Sequence, residues 1–125
     1  MAVLAVTSSQ PDRERLQAIA DREGWDFLCA SDFHSALSEL GRRNIPVILC
    51  DRDLPEQNWR DSIRTLLAAV RQPCVILTSS VNDSYLWQEV IQHGGYDVLP
   101  KPFHEEQVIS TIRRAWLFWK AGHPR

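Results

Sequence analysis

The sequence lacks the features that are typical of secreted, membrane and nucleic-acid-binding chains. Its apolar opening, Met1 to Val6, is too short for a signal peptide and has no basic flank. No segment approaches the run of about 18 apolar residues that a membrane span needs. Lysine plus arginine number 14 against 16 acidic residues, so no basic surplus favours a phosphate backbone. The three cysteines show no CxxC spacing. We therefore expect reduced cysteines in the core of a cytoplasmic protein that contacts neither membrane nor nucleic acid directly.

What remains is the composition of one globular domain. The chain has 125 residues, of which 44% are hydrophobic and 24% charged, which is too apolar for a disordered chain. A chain of this length buries about 68% of its unfolded surface, enough for one core. No repeat or linker interrupts it. We predict a single domain over residues 1–121, followed by a loose tail at 122–125.

Short apolar runs alternate with segments of helical spacing. The runs are Val3–Val6, Trp25–Ala30, Val47–Cys50, Cys74–Leu77 and Tyr96–Leu99. Several are continuously apolar, which is typical of parallel strands covered on both faces. The intervening segments each carry one apolar face, the third of them through Ile63, Leu66, Leu67 and Val70. The pattern predicts an α/β fold, a doubly wound (βα)5 sandwich around a parallel sheet.

Residues that begin and end helices lie at the expected places. Ser9, followed three residues later by Asp12, resembles a capping box. Ser31 and Asp32 are predicted to begin the second helix, and Asn82 and Asp83 the fourth. Glycines predicted to end helices are Gly24, Gly41, Gly94 and Gly95.

Three polar residues follow successive strands of the predicted sheet. Asp51 follows the third run, Thr78 the fourth and Lys101 the fifth. The carboxyl ends of parallel strands share one edge, where such folds bind their ligands. A carboxylate can act as a nucleophile toward a phosphoryl group, and an ammonium and a hydroxyl can bind the phosphoryl oxygens. The three side chains together predict a phosphoryl site at this edge.

The sequence resembles a response-regulator receiver domain of the two-component signalling family over residues 1 to about 120. Asp51 with Pro55 four residues later matches the phosphorylated aspartate motif of that family. Thr78 matches the hydroxyl residue that senses the phosphoryl group, and Ser79 the small residue beside it. Lys101-Pro102-Phe103 matches the family's Lys-Pro-Phe, whose Lys-Pro bond is usually cis.

The resemblance implies a flavodoxin-like sheet in the order 2-1-3-4-5 and a signalling domain that is not an enzyme. It implies that a sensor histidine kinase or a phosphotransfer protein phosphorylates Asp51 in the presence of Mg²⁺. Thr78 and Lys101 would then bind the phosphoryl group.

Two departures from the family pattern concern the metal and the signal. The family places two acidic residues after the first strand, where this chain has Thr7 and Ser8. Mg²⁺ prefers carboxylate oxygens, so we expect it to bind weakly or not at all, with Asp51, Asp53 and Ser8 as the remaining candidate ligands.

Val98 replaces the aromatic residue that the family places three residues before its lysine. Coupling from the site to the fourth helix is therefore weakened or uses other side chains.

The last helix carries four consecutive large apolar residues, Trp116 to Trp119. At about 100° per residue they cannot share one face, so one or two of them should lie outside the core. We expect these to be Phe118 together with Leu117 or Trp119. Trp116 and Trp119 are candidate interface residues, because aromatics are enriched in partner contacts. Family members commonly dimerise through the face formed by the fourth helix, fifth strand and fifth helix.

Three functions stay open on the sequence alone. The first is a phosphoaccepting receiver with weakened Mg²⁺ binding. The second is a degenerate receiver that acts as a phosphorylation-independent interaction module and keeps Asp51 and Lys101 as an internal ion pair. The third is a flavodoxin-like ligand binder in which the segment Thr7, Ser8 and Ser9, at a helix start, would hold a phosphate through its backbone N–H groups. Helix capping is the simpler role for these hydroxyl residues.

Overall fold

The computed structural model describes residues 1–69 and 71–122 as five strands that alternate with five helices. The strands are β1 (Ala2–Val6), β2 (Asp26–Ala30), β3 (Val47–Asp51), β4 (Cys74–Ser79) and β5 (Asp97–Pro100). The helices are α1 (Gln10–Glu23), α2 (Phe33–Arg42), α3 (Trp59–Leu67), α4 (Ser84–Gln92) and α5 (Glu105–Lys120). Val70 and residues 123–125 of the predicted tail lie outside the described residues.

All strands are parallel and lie in the order β2-β1-β3-β4-β5, which confirms the predicted doubly wound fold. Two apolar clusters cover the two faces of the sheet. One includes side chains of α2, α3 and α4, and the other those of α1 and α5. Every residue of β3 and β4 is buried, because both strands are central and covered on both sides.

The strands end later than the apolar runs. β3 continues to Asp51 and β4 to Ser79, and Asp51 is paired in register with Thr78. The sequence places these polar residues in loops, whereas their backbones belong to the sheet ladder. The polar residues of the candidate site are therefore held by regular backbone hydrogen bonds.

The predicted N-caps are confirmed. The side chains of Ser9, Asp32 and Asp83 accept hydrogen bonds from backbone N–H groups in the first turns of α1, α2 and α4. Only half of the predicted capping box forms. Ser9 Oγ accepts from the backbone N–H of Asp12 at 3.3 Å, but the N–H of Ser9 donates to Thr7 Oγ1 instead of to Asp12.

One predicted helix end is wrong. Gly24 ends α1 with φ of 75°, a left-handed conformation that glycine adopts readily. Gly41 instead lies inside α2, which continues to Arg42 and is capped at Arg43 in an extended conformation. The N–H of Arg43 donates to the carbonyl of Glu39, so this helix closes without a left-handed residue.

None of the three cysteines, all of which fall within the described part of the chain, forms a disulfide. Cys50 and Cys74 are buried as predicted, whereas Cys29 is only half-buried. Burial raises the pKa of the Cys50 thiol to about 12, so it stays protonated. Within residues 1–69 and 71–122, none of the helices combines the length and apolar character that a membrane crossing requires.

Candidate functional site

The three residues predicted to share one edge of the sheet lie there. Asp51 and Thr78 are paired in register on the neighbouring strands β3 and β4. Lys101 follows β5 directly, and its backbone N–H donates to the carbonyl of Ser79 at 2.9 Å. Since all strands are parallel, the loop after β1 reaches the same edge and brings Thr7 beside Asp51.

The Asp51 carboxylate is 5% exposed and receives three hydrogen bonds. Its Oδ2 atom accepts from the Thr7 hydroxyl at 3.1 Å and from the Lys101 ammonium at 3.2 Å. Its Oδ1 atom accepts from the backbone N–H of Asp53 at 3.1 Å. Both oxygens of this buried anion are thus satisfied by the protein itself, as burial of a charge requires.

The Lys101 ammonium contacts a second carboxylate. Its Nζ atom lies 2.6 Å from Asp12 Oδ2, closer than to Asp51. Burial tends to lower the pKa of Lys101, but the hydrogen bond to Asp12 and the charge of Asp51 outweigh it. The pKa of Lys101 is therefore raised above its ordinary value. This ammonium stays charged at neutral pH between two acids.

Asp12 is the functional-site residue that the sequence analysis missed. An acid in the first turn of a helix is already explained by capping and by the helix dipole. The sequence therefore gives no separate reason to expect a contact between Asp12 and a residue far away in the chain. The position of Asp12 in the chain could have indicated this role, because Asp12 follows β1 within six residues and α1 begins at the same edge of the sheet as Asp51.

Thr78 and Ser79 are both buried at the end of β4. Ser79 Oγ accepts the backbone N–H of Val81 at 2.9 Å, so this hydroxyl shapes the loop that leads to α4. The Lys101–Pro102 peptide bond is cis, as the resemblance implies. These contacts fix the backbone on both sides of the site.

The candidate metal ligands do not converge. The side chain of Asp53 is 64% exposed and pairs with Arg52, while Ser8 is exposed on the loop after β1. Thr7 offers a hydroxyl that donates its hydrogen to Asp51, and Asp12 is held by Lys101. No cluster of three or more histidine, cysteine, aspartate or glutamate side chains suited to a metal ion occurs among the described residues. This donor set does not fit Mg²⁺, which is usually bound by one or two carboxylates and several waters in octahedral geometry, because Asp51 and Asp12 are both held by Lys101.

The side chains predicted to act in switching and at an interface, those of Val98, Trp116 and Trp119, are partly buried. Val98 is half-buried against the cluster that includes α2, α3 and α4. Trp116 and Trp119 are half-buried against the opposite cluster, as is Phe118. Of the side chains predicted to lie outside the core, Leu117 does so, at 57% exposed. The prediction is wrong for Phe118, which is half-buried, as is Trp119.

The rings stay covered because charged side chains lie over the two tryptophans. Lys120 lies 4.3 Å from the centroid of the Trp116 ring, and Arg71 lies 5.8 Å from that of Trp119. Helices of this fold run antiparallel to the strands, so the last turn of α5 lies at the edge opposite Asp51.

The fold defines a doubly wound α/β domain with an acid, a hydroxyl and an ammonium at its ligand-binding edge. The family model of the response regulator receiver domain matches residues 3–113, and the chain belongs to that family. Receiver domains are signalling modules that interact with histidine kinases or phosphotransfer proteins.

Known proteins of similar sequence are regulators. The chain is 30% identical over 113 residues to the transcriptional regulatory protein CpxR of Klebsiella pneumoniae. This match covers 89% of the chain and 47% of CpxR, so the chain spans about half the length of that relative.

Solved receiver domains share the fold. A signal receiver domain from Pseudomonas fluorescens has a TM-score of 0.87 at 21% identity, with 97% of this chain and 90% of that chain covered. The beryllofluoride-activated NtrC4 receiver domain dimer has a TM-score of 0.86 at 24% identity, with coverage of 94% and 98%.

Proposed function

We propose that this receiver domain acts as a protein-interaction module that does not depend on Mg²⁺-assisted phosphorylation of Asp51. The observation that carries the proposal is the hydrogen bond from the Thr7 hydroxyl to Asp51 Oδ2. Where the family places an acid that binds the metal, this chain has a neutral group that satisfies the phosphoacceptor itself. The Asp51 carboxylate is thereby kept as a structural anion.

Charge supports the same proposal. Phosphoryl transfer to a carboxylate brings two anions together, and a divalent cation offsets that repulsion. Here Lys101 is the cation that contacts Asp51, and it is shared with Asp12. A shared monovalent ammonium offers less compensation than an added divalent ion.

A phosphoaccepting receiver is the second candidate, favoured by one observation. Asp51, Thr78 and Lys101 all remain at one edge, with Asp51 and Thr78 in direct register. In that case Asp51 would take a phosphoryl group from a histidine kinase or a phosphotransfer protein, with Mg²⁺ recruited weakly.

Incubation with acetyl phosphate, with and without Mg²⁺, separates the two candidates when followed by intact-mass measurement. We expect no Mg²⁺-dependent phosphoryl adduct on the wild type. Asp51→Asn is the negative control, because it lacks the carboxylate that would accept the phosphoryl group. An adduct on the wild type that requires Mg²⁺ and is absent from Asp51→Asn would establish the phosphoacceptor instead.

Restoring the acidic pair tests whether the absence of these two acids is what prevents Mg²⁺-dependent phosphorylation of Asp51. Thr7→Asp with Ser8→Asp places two carboxylates where the family has them, so Mg²⁺ affinity and acetyl-phosphate labelling of Asp51 should both appear. The double variant Thr65→Asp with Ser84→Asp adds the same charge at exposed positions on α3 and α4 and should restore neither.

For the partner surface we propose the face formed by α4, β5 and α5, with a second copy of the chain as its occupant. β5 is an edge strand, and the helices beside it expose Tyr85, Trp87 and Leu117. Trp87 Nε1 donates to Asp97 Oδ1 at 3.2 Å and joins α4 to β5. One structural relative is described as a receiver domain dimer.

Sedimentation velocity tests this surface. Leu117→Asp should shift the chain from dimer to monomer, because it buries a charge in an apolar contact. Leu37→Asp is the matched control on α2, which packs beside β2 at the opposite edge of the sheet from β5, and it should sediment like the wild type. A wild type that stays monomeric at high concentration contradicts the proposal.

A further inference from the structure

We propose that the Lys101 ammonium is the built-in cation of this site and that Asp12 is the residue that positions it. The loop after β1 lacks the two acidic residues of the family. Asp12 instead supplies a carboxylate from the first turn of α1. The inference deepens the proposed function, because it states what occupies the space beside Asp51 in the absence of a metal.

The geometry puts one nitrogen between two acids. Lys101 Nζ lies 2.6 Å from Asp12 Oδ2 and 3.2 Å from Asp51 Oδ2, and all three side chains are mostly buried. Two carboxylates that face each other in a partly buried site repel unless a cation separates them. The ammonium supplies that charge.

The type of cation fits this role. The chain has twelve arginines but only two lysines, Lys101 and Lys120. An ammonium is a compact point charge that can bridge two acids from a single atom, whereas a guanidinium is a wide planar fork. The cation between Asp12 and Asp51 is one of the two lysines of an arginine-rich chain.

Asp12 itself is held in place for this contact. It lies in the first turn of α1, where the backbone N–H of Asp12 donates to the Ser9 cap at 3.3 Å. Ser9 in turn donates its N–H to Thr7, whose hydroxyl donates to Asp51. The cap of α1 and the carboxylate of Asp51 are thus parts of one connected hydrogen-bond network.

Nitrogen NMR of the lysine ammonium groups tests the position of the cation without metal or phosphoryl donor. The wild type should show a protected Lys101 signal and a fast-exchanging Lys120 signal, which is the internal control. Asp12→Asn should abolish the protection of Lys101, and Asp12→Glu should restore part of it. Protection that is unchanged in Asp12→Asn would overturn the positioning role.

A metal titration tests whether Lys101 occupies the place of a cation. In Lys101→Met, Asp12 and Asp51 face each other without a positive charge, so the melting temperature should rise with the logarithm of the Mg²⁺ concentration. Lys101→Met combined with Asp12→Asn should show no rise, and neither should the wild type. No rise in Lys101→Met, or an equal rise in the double variant, would overturn the proposal.

The two tests remain decisive if one variant fails to fold, because the NMR test leaves Lys101 in place. They also separate this inference from the proposed function. Phosphorylation of wild-type Asp51 by acetyl phosphate would refute the proposed function but leave the protected Lys101 signal as it is. Loss of Asp12 dependence would refute the inference but leave the phosphorylation result unchanged.

Discussion

The carboxyl ends of β3, β4 and β5 differ from the loop that follows β1, although all four lie at one edge of the sheet. Asp51 at the end of β3, Thr78 in β4 and Lys101 directly after β5 keep the residue types of the receiver family. The loop after β1 has exchanged two acids for Thr7 and Ser8. The exchange is local, because β1 itself is buried and paired along its length with β2 and β3.

This difference shows that the fold does not depend on the two acids that the family places after the first strand. The apolar clusters on both faces of the sheet include none of the loop residues Thr7, Ser8 and Ser9. What the edge does require is a balance of charge around the buried Asp51 carboxylate. Lys101 provides the opposite charge, Thr7 adds a neutral hydrogen bond, and Asp12 contacts the lysine.

The largest effect on stability should follow from removing the Lys101 ammonium, which contacts both Asp12 and Asp51. Lys101→Met leaves Asp51 buried beside Asp12 without a positive partner. We expect a loss of about 3 kcal/mol in the free energy of unfolding, the lower end for a broken buried pair, because the ammonium is partly exposed. Urea unfolding measures it.

Lys120→Met is the matched control, because Lys120 is exposed and lies over the ring of Trp116. Its loss should cost about 0.5 kcal/mol. Equal losses in the two lysine variants would mean that the charge balance at the edge contributes little to stability.

A smaller effect should follow from removing the acid on α1. Asp12→Asn breaks the 2.6 Å contact but leaves Lys101 paired with Asp51. We expect a loss of about 1.5 kcal/mol, typical of a hydrogen bond between charged groups. Asp21→Asn, an exposed position on the same helix, should change stability by less than about 0.5 kcal/mol. If the two variants lose the same stability, Asp12 is an ordinary surface acid.

Thr7→Val should have a smaller effect still. The variant keeps the shape of a side chain that is 3% exposed but removes the hydroxyl that donates to Asp51 and accepts from Ser9. Two of the three donors to Asp51 remain, so we expect a loss of about 1 kcal/mol. Thr65→Val, an exposed position on α3, is the control and should be neutral. A neutral Thr7→Val would show that the hydroxyl does not stabilise the carboxylate.

Much of the fold and half of the site could be predicted from the sequence. Largely apolar runs of four to six residues alternate with segments of helical spacing, and parallel topology then brings the strand ends to one edge. Asp51, Thr78 and Lys101 could be placed together by that rule alone. Their separation in the chain does not matter, because the sheet register determines their neighbours.

Asp12 and the aromatic residues of α5 could not be placed in the same way. The contact of Asp12 with Lys101 depends on the path of the loop from Thr7 to Ser9, which no periodicity encodes. Trp116 and Trp119 point in different directions around α5, yet both are half-covered, because Lys120 and Arg71 lie over their rings. Such coverage by charged side chains comes from tertiary packing and leaves no pattern in the sequence.

The smallest effect should appear at alkaline pH. The pKa of Lys101 is raised in the folded state, so its contribution to stability is complete below the unfolded pKa of about 10.4 and is lost as the pH rises through the folded pKa. The difference in unfolding free energy between the wild type and Lys101→Met should therefore be constant from neutral pH to about pH 10 and shrink above it. Urea unfolding of both proteins across this range measures the difference. A difference that shrinks already near neutral pH would mean that the ammonium between Asp12 and Asp51 loses its proton too easily to act as the cation of the site.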